Sequence, residues 1–542
     1  MQGMMQDWQL TTDRILRHAK INHPNRQVIS RQVDGSITRT TYGKIYDRSR
    51  LLSSALLKRG IKLGDRVGTM AWNNARHMET WYAIMGIGAI CHTLNPRLHP
   101  EQLIYIINHA DDKMFFVDLS FVPLLEAVQD KVPGVECFVI MCASGQMPKT
   151  SLKNAVCFED LLAEGDDDVT WGDFDENTAC GLCYTSGTTG NPKGVLYSHR
   201  SNTLMAMTAA MPDAMNINGK DTCLMVVPMF HANAWALTFT APMVGMNLVM
   251  PGPMMDGKSI FELLDGEKCT MSAAVPTVWL MLLNYLESTG NKLPYLNEVV
   301  IGGSACPRAI METFDKKYGV NVVHAWGMTE TSPLGTVSRI EPEVAHLPYE
   351  EQLSYRLKQG RPPFIVEMCI IDENGQELPC DGKAFGNLMV RGPAISNSYF
   401  GGEGGEILDN DGWFDTGDVA TIDELGYMQI TDRSKDVIKS GGEWISSIDL
   451  ENAAMGHPAA AECAVIGLPH PKWDERPLLI VQLKAGMKSS PDSFRKFLTG
   501  KIAKWWMPDD VVFVEELPHG PTGKVSKLEL RTKFKDHVLP TI

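Results

Sequence analysis

The sequence predicts an α/β protein: a large N-terminal domain of mostly parallel sheets with helices plus a β-rich subdomain, then a small α+β C-terminal domain. Three observations predict it. Helix-period and strand-period segments alternate through the first two thirds of the chain, the βαβα rhythm of parallel sheets covered by helices. From about Arg361 the texture changes to short strands and turns. Past a charged stretch without apolar anchors at 432–436, strands and helices resume over about one hundred residues, enough for a separate core. We therefore expect a large domain at 1–431, a hinge at 432–436 and a small domain at 437–542, a division that the 542 residues readily support.

The elements follow in order. Apolar spacing over 42–59 predicts a helix closed by Gly60. Strands are expected at 65–71, 89–94 and 114–117, with helices at 78–88 and 101–110 between them. The run 179–183 reads as a buried strand and 195–199 as a second strand or strand end. A helix from about Asn202 and a strand at 223–227 resume the rhythm. Residues 222–255 contain no Asp, Glu, Lys or Arg, but Pro228, Pro242, Pro251 and Pro253 cut them into pieces too short to cross a bilayer. They read as strand, turn, helix and strand, the floor of a pocket. Residues 299–303 form a strand running into glycines, where ligands sit in such folds. Short strands at 367–371, 386–391 and 427–431 come with Asn374-Gly375, Asp381-Gly382 and Asp411-Gly412 as turn signals. Gly401-Gly402-Glu403-Gly404-Gly405 reads as a solvated turn. In the last domain a helix near 448–455, strands at 462–466 and 478–483 and a helix at 492–505 are expected.

Composition narrows the function. The formal net charge of −15 argues against nucleic-acid binding and against affinity for anionic membranes. Twelve cysteines are scattered, and the only CxxC pair, Cys180 and Cys183, lies in an apolar strand with no second pair to complete a zinc site. They read as reduced thiols of a cytoplasmic protein. Residues 1–20 lack a continuous apolar run, so no secretory signal is expected.

Between the strands at 179–183 and 195–199 lies Tyr184-Thr185-Ser186-Gly187-Thr188-Thr189-Gly190-Asn191-Pro192-Lys193-Gly194. Three glycines, four Ser/Thr hydroxyls and one lysine in eleven residues suit phosphate oxygens. It is not a Walker A loop: counted from Gly187, Pro192 and Gly194 occupy the positions of the second glycine and the Ser/Thr. Taken alone it fits a flexible surface loop as well. Four further groups stand in order behind it: His324-Ala325-Trp326-Gly327-Met328-Thr329-Glu330-Thr331, Trp413-Phe414-Asp415-Thr416-Gly417-Asp418, Asp432-Arg433 with Lys435 and Lys439-Ser440-Gly441-Gly442-Glu443, and Pro521-Thr522-Gly523-Lys524-Val525. Each alone is weak, since a single Glu330, Asp418 or Lys524 is more often a solvated surface residue.

All five in this order resemble the adenylate-forming superfamily of acyl-CoA synthetases, luciferases and peptide-synthetase adenylation domains, over about residues 11–533. That resemblance implies a mobile C-terminal domain and two half-reactions: a carboxylate attacks the α-phosphate of ATP and expels pyrophosphate, then the CoA thiol takes the acyl group and AMP leaves. It implies that Thr185, Ser186, Gly187, Thr188, Thr189, Gly190 and Lys193 hold the β- and γ-phosphates. Gly302, Gly303 and Ser304 would line adenine, with His324, Ala325, Trp326, Gly327 and Met328 on its other side. Thr329 would meet the α-phosphate, and Glu330, with Thr185, would hold Mg²⁺. Asp418 would accept from ribose and Arg433 support ribose or phosphate. Lys524 would bridge the carboxylate and the α-phosphate. Lys435 would be the hinge, and Lys439, Ser440, Gly441, Gly442 and Glu443 would line the CoA path.

The acyl site is implied at His231, near the carboxylate, with Trp235, Val275, Gly302 and Pro307 as wall; a core histidine and a core tryptophan are the less favoured reading of His231 and Trp235. The segment is apolar and has no lysine or arginine to pair a second carboxylate, which points to an aliphatic or thioether monoacid. Within the superfamily the chain resembles the medium- and long-chain fatty acyl-CoA synthetase branch, and within that the 3-methylmercaptopropionate–CoA ligases, where homodimers are common. Acyl transfer to a carrier-protein thiol, luciferase-like oxidation and a non-catalytic ATP-binding protein are the competing readings. Ala394 departs from the tryptophan that many members of the branch carry there.

Overall fold

The computed structural model describes the chain apart from residues 2, 186–190, 442, 521–523 and 542 and the side chains of residues 443 and 444. Two large sheets dominate it. A seven-stranded sheet runs Val156–Cys157, Cys137–Ile140, Asp112–Val117, Arg66–Met70, Ile90–Thr93, Ala179–Tyr184, Gly194–Ser198. It is parallel except for its last pair. An eight-stranded sheet runs Leu334–Val337, Asn321–Gly327, Glu298–Ile301, Met271–Ala274, Thr222–Met225, Asn247–Met250, Gln27–Arg31, Ile37–Thr41. Its inner neighbours are parallel and its two edge pairs antiparallel.

Parallel strands are buried on both faces, and the sequence supplies continuous apolar runs such as Val299, Val300 and Ile301, all fully buried. One core joins the two sheets through Val67, Met78, Trp81, Cys180, Met225, Phe239 and Leu248. Two buried tyrosine hydroxyls reach across that boundary: Tyr42 donates to the Met246 carbonyl at 2.6 Å and Tyr82 to that of Thr238 at 3.0 Å. The connecting helices start where the sequence caps them. Asn74 accepts from the His77 N–H ahead of Ala75–Gly86, and Ser198 from that of Ser201 ahead of His199–Ala210. The helix Tyr42–Lys58 ends at Gly60, whose φ of +89° closes it.

The β-rich part is a four-stranded antiparallel sheet, Glu367–Ile371, Phe385–Arg391, Phe414–Ile422 and Met428–Arg433. The C-terminal part is a five-stranded sheet in which Asp474–Leu483 pairs with Ala460–His470, Ile438–Ser440 and Asp510–Val514, and Ile438–Ser440 pairs with Glu443–Ile445. Helices Ser447–Met455 and Pro491–Leu498 cover one face of it around Leu450, Val465, Leu479 and Phe494. Among the described residues no helix is long and apolar enough to cross a membrane.

Three local expectations change. The helix expected at 492–505 stops at Leu498, because Thr499 leaves the helical region and Gly500 has φ +80°; Lys504–Trp506 is a separate 3-10 turn. The charged stretch at 432–436 is not free of structure throughout. The strand continues to Arg433, and Asp432 is buried, its carboxylate accepting from the N–H of Ser447 at 2.8 Å. The segment 222–255 is strand, turn, helix and strand as read, but its turn is unusual. Ala232, Asn233, Ala234, Trp235 and Ala236 all have positive φ, between +42° and +63°. A left-handed run of non-glycine residues costs about 1–2 kcal/mol per residue. Here small side chains and burial of Ala232, Ala234 and Ala236 sustain it.

Candidate functional site

The loop of glycines and hydroxyls leaves Ala179–Tyr184, the last strand but one of the seven-stranded sheet, and re-enters through its edge strand, Gly194–Ser198. Residues 186–190, hence the expected contacts of Ser186, Gly187, Thr188, Thr189 and Gly190, lie outside the described residues. The two ends are described. Thr185 N–H donates to the Lys193 carbonyl at 2.8 Å, and the Lys193 N–H lies 3.4 Å from Thr185 Oγ1. Tyr184 pairs with Gly194 in register, so both ends are pinned by sheet hydrogen bonding. The Lys193 ammonium stands 4.7 Å from the centre of the Tyr399 ring.

The second group caps the neighbouring sheet. The strand Asn321–Gly327 delivers His324, Ala325, Trp326 and Gly327, and Met328 opens the 3-10 turn Thr329–Thr331. His324 is consumed structurally: Nδ1 lies 2.9 Å from the Leu357 carbonyl, and Nε2 accepts from the Cys306 N–H at 3.3 Å. Burial pushes its pKa down to about 4, so the ring is neutral. Thr329 is fixed through its carbonyl, which accepts from the Tyr197 hydroxyl at 2.8 Å. Glu330 is buried, and its Oε1 accepts from the Tyr399 hydroxyl at 2.7 Å. Gly302, Gly303 and Ser304 leave the end of the adjacent strand, Glu298–Ile301. A Cβ at Gly302 would fall 2.9 Å from the Ala325 carbonyl, so the two glycine-bearing segments approach at backbone distance.

Asp418 lies at the same cleft. Trp326 Nε1 donates to its Oδ2 at 3.0 Å, and Arg433 Nε lies 2.8 Å from its Oδ1. Burial raises its pKa, while Arg433 and the Trp326 N–H oppose the rise. Lys524 enters from the C-terminal domain. Solvent still reaches its side chain, but the surrounding protein lowers its pKa to about 8, with Arg433 acting in the same direction and Asp418 against it. Across the cleft His231 is pushed down to about 4, by burial first and then by the charge of Lys524. His231, Asp418, Arg433 and Lys524, from four separate stretches of chain, thus share one electrostatic environment.

The expected acyl wall assembles in part. Positions corresponding to a Cβ on Gly302 and on Gly303 lie 3.1 Å from the Trp235 ring and 3.1 Å from Val275. The left-handed turn is what lays the Trp235 indole over the Gly302 backbone. Pro307 is the N-cap of the helix Arg308–Thr313. In the C-terminal domain Gly441 has φ +61°, and its N–H donates to the Trp473 carbonyl at 2.8 Å. A Cβ there would fall 2.7 Å from the Trp473 ring. Ser440 accepts from Arg476 at 3.2 Å, Lys439 lies in the strand Ile438–Ser440, and Glu443 opens the strand Glu443–Ile445. Gly442 lies outside the described residues. Lys435 follows the last strand of the four-stranded sheet, and its pKa is lowered by burial, then by Arg433 and Arg531.

Sequence reasoning missed Tyr399 and Trp473. Tyr399 stands 69 residues from the Glu330 it holds, so no local pattern links them. Trp473 carried a signal: a tryptophan beside Lys472 and Asp474, in a polar turn, remains 42% exposed. Chemically, the cleft brings lysine and arginine cations, which suit anionic ligands, together with two buried carboxylates, Asp418 and Glu330.

Comparison with known proteins places this geometry. A family model described as "AMP-binding enzyme" matches residues 16–400, and one described as "AMP-binding enzyme C-terminal domain" matches residues 449–524. The chain is 49% identical over 536 residues to a 3-methylmercaptopropionyl-CoA ligase of Ruegeria lacuscaerulensis, covering 99% of each chain. It is 47% identical over 539 residues to a medium-chain-fatty-acid–CoA ligase of Ectopseudomonas oleovorans, covering 99% of this chain and 98% of the relative. Among solved structures it matches, at 24% identity and a TM-score of 0.86 over 99% of both chains, an anthranilate CoA ligase, AuaEII, in complex with anthranoyl-AMP. At that identity the match speaks for the fold.

Proposed function

Since the chain belongs to the AMP-binding enzyme family, we propose that it is an AMP-forming acid–CoA ligase that acts on a small-to-medium aliphatic or thioether monoacid, with 3-(methylthio)propanoate first among them. The observation that carries the mechanism is the meeting of Lys524 with Asp418, Arg433 and His231 in one cleft. In the first step the acid's carboxylate oxygen bonds to the α-phosphorus of ATP, and the bond to the bridging oxygen breaks, releasing pyrophosphate. Both reactants are anions, so positioning and charge neutralisation carry the catalysis. Lys524 neutralises the charge shared between carboxylate and α-phosphate, Asp418 orients the ribose, Arg433 steadies Asp418, and Lys193 holds the departing polyphosphate. His231, neutral at its lowered pKa, accepts the carboxylate without adding a cation. Mg²⁺ would be held by Glu330, a buried carboxylate whose Oε1 accepts from the Tyr399 hydroxyl, together with Thr185. Such an ion supplies charge neutralisation of the polyphosphate.

In the second step the CoA sulfur bonds to the acyl carbon, the acyl–phosphate bond breaks, the thiol proton passes to solvent, and AMP leaves. The domain division at 431/437, rotation about Lys435 and a CoA path along Lys439 to Glu443 belong to this proposal. Gly441, at positive φ and close to Trp473, supports the path. A cytoplasmic homodimer completes the reading. The test of the reading is acid-dependent ATP–pyrophosphate exchange over a panel of carboxylates, followed by CoA addition; no exchange with any acid overturns it.

Medium- or long-chain fatty acids form the second reading of the substrate, favoured by the similarity to the Ectopseudomonas oleovorans ligase. The closeness of the Trp235 ring to Gly302 supports the shorter acid, since a ring there would limit the length of an acyl pocket. Trp235→Ala is expected to raise kcat/KM for longer alkyl acids relative to 3-(methylthio)propanoate by about tenfold, the worth of one or two methylenes in an apolar pocket. Unchanged chain-length selectivity removes Trp235 from the wall.

Lys524 also predicts the pH profile. Its ammonium is the active form and its pKa is lowered to about 8, so kcat/KM for adenylation is expected to fall as pH rises through about 8. Residual exchange by Lys524→Arg should lose that limb, since arginine stays charged. A limb unmoved by this substitution belongs to another group.

A further inference from the structure

The glycine patch at 401–405, which reads as a solvated turn in the sequence, is exposed at its four glycines, but Gly401 and Gly404 approach His109 and Lys193 and Glu403 is half-buried. Tyr399 leads into it and touches two site residues at once: its ring lies 4.7 Å from the Lys193 ammonium, and its hydroxyl donates to Glu330 at 2.7 Å. Gly404, at φ +77°, leaves room for the same lysine, because a Cβ there would lie 2.9 Å from Lys193 Nζ. Between these residues Glu403 turns inward rather than to solvent. Its Oε1 accepts from the Tyr105 hydroxyl at 2.5 Å and lies 3.6 Å from His109 Nε2.

His109 closes the circuit. Its Nδ1 lies 2.6 Å from the hydroxyl of Tyr184, the residue that roots the phosphate loop in its strand. Its ring stacks on Tyr105 at 5.4 Å and 11°, and meets the Phe400 ring edge-on at 5.4 Å. Gly401, at φ +73°, is what lets the backbone reach His109 Nε2, which a Cβ would approach to 3.1 Å. The loop is therefore gripped at its root through Tyr184 and at its lysine end through Lys193, by one turn.

We infer that the turn 399–405 is the second jaw of the polyphosphate clamp. Tyr399, Glu403, His109 and Tyr105 are its positioning residues, serving the polyphosphate of the magnesium nucleotide and the pyrophosphate that leaves. The inference rests on the ligase reading above. Tyr399 couples Lys193 to Glu330, so that the phosphate cation and the carboxylate on the metal side keep a fixed separation. The Tyr105–Glu403–His109 group fixes the distance from that pair to the loop root. A lysine and a carboxylate held in place before the nucleotide arrives lose less freedom on binding it.

The test measures exchange kinetics of the full-length enzyme with MgATP and pyrophosphate varied in turn. Glu403→Gln and His109→Leu should each raise both KM values about tenfold with kcat little changed, the signature of lost ground-state positioning. His109→Asn, which keeps a polar group near Tyr184, should restore most of the loss. Tyr399→Phe, which keeps the ring but frees Glu330, should lower kcat as well. Thioester formation from supplied acyl-adenylate and CoA, which involves no polyphosphate, should stay at the wild-type rate in all of them. Wild-type KM values in Glu403→Gln and Tyr399→Phe, or equal losses in both half-reactions, overturn the inference. Absence of exchange in the wild-type enzyme with every acid overturns the ligase reading instead.

Discussion

Lys524→Ala is expected to slow adenylation by about 10²–10³-fold, the usual cost of removing a preorganised charge from a transition state. The lysine shares its surroundings with Asp418, Arg433 and His231, and the protein around it and the Arg433 charge lower its pKa even though solvent still reaches its side chain. A charge in such surroundings interacts more strongly with a developing anion than one in water. The same substitution should leave conversion of supplied acyl-adenylate to thioester intact, since in the proposed mechanism rotation about Lys435 withdraws Lys524 before CoA reacts. The two half-reactions are measured separately, by ATP–pyrophosphate exchange and by thioester formation from the adenylate. Equal losses in both would show that Lys524 holds the domain together rather than serving the first step.

Gly441→Leu is expected to do the reverse. Its φ of +61° disfavours a branched side chain by about 1–2 kcal/mol. Its Cβ would also fall 2.7 Å from the Trp473 ring, so the side chain must displace the indole or enter the space proposed for pantetheine. Misplacing the thiol by about 1 Å is enough to cost roughly 10² in rate. Adenylation, which does not use this face, should proceed at the wild-type rate. Together the two variants form a crossed pair, and loss of exchange in Gly441→Leu would remove the segment from the CoA path.

Much of this was legible in the chain itself. The βαβα rhythm gave the parallel sheets because strands buried on both faces must be apolar along their buried length, as 299–301 are. Helix ends at Asn74, Ser198 and Gly60 follow from local hydrogen bonding and backbone freedom, which are sequence-local by nature. The motifs at Thr329–Glu330, Asp418 and Lys524 were visible as residue types in order, and the resemblance they carried is met by the family match over residues 16–400 and 449–524. One boundary failed where a non-local contact decided it, and another where the reading passed over a local glycine signal. The strand runs on through Asp432 because a helix of the next domain needs its carboxylate as a cap. The helix at 491–498 ends where Gly500 permits a left turn.

What the sequence determined by itself, then, is the family, the order of the chemical groups and the periodicity that builds the sheets, because each is written in neighbouring residues. Only the tertiary structure decided which of those groups meet. It laid Trp235 over Gly302 through a left-handed turn that no propensity favours. It set Tyr399 between Lys193 and Glu330, and it folded an apparently solvated glycine patch onto His109 and Tyr105. Those encounters join residues far apart in the chain. Their energies come from burial and from charges brought together in a poorly solvated cleft, terms that exist only once the sheets have packed.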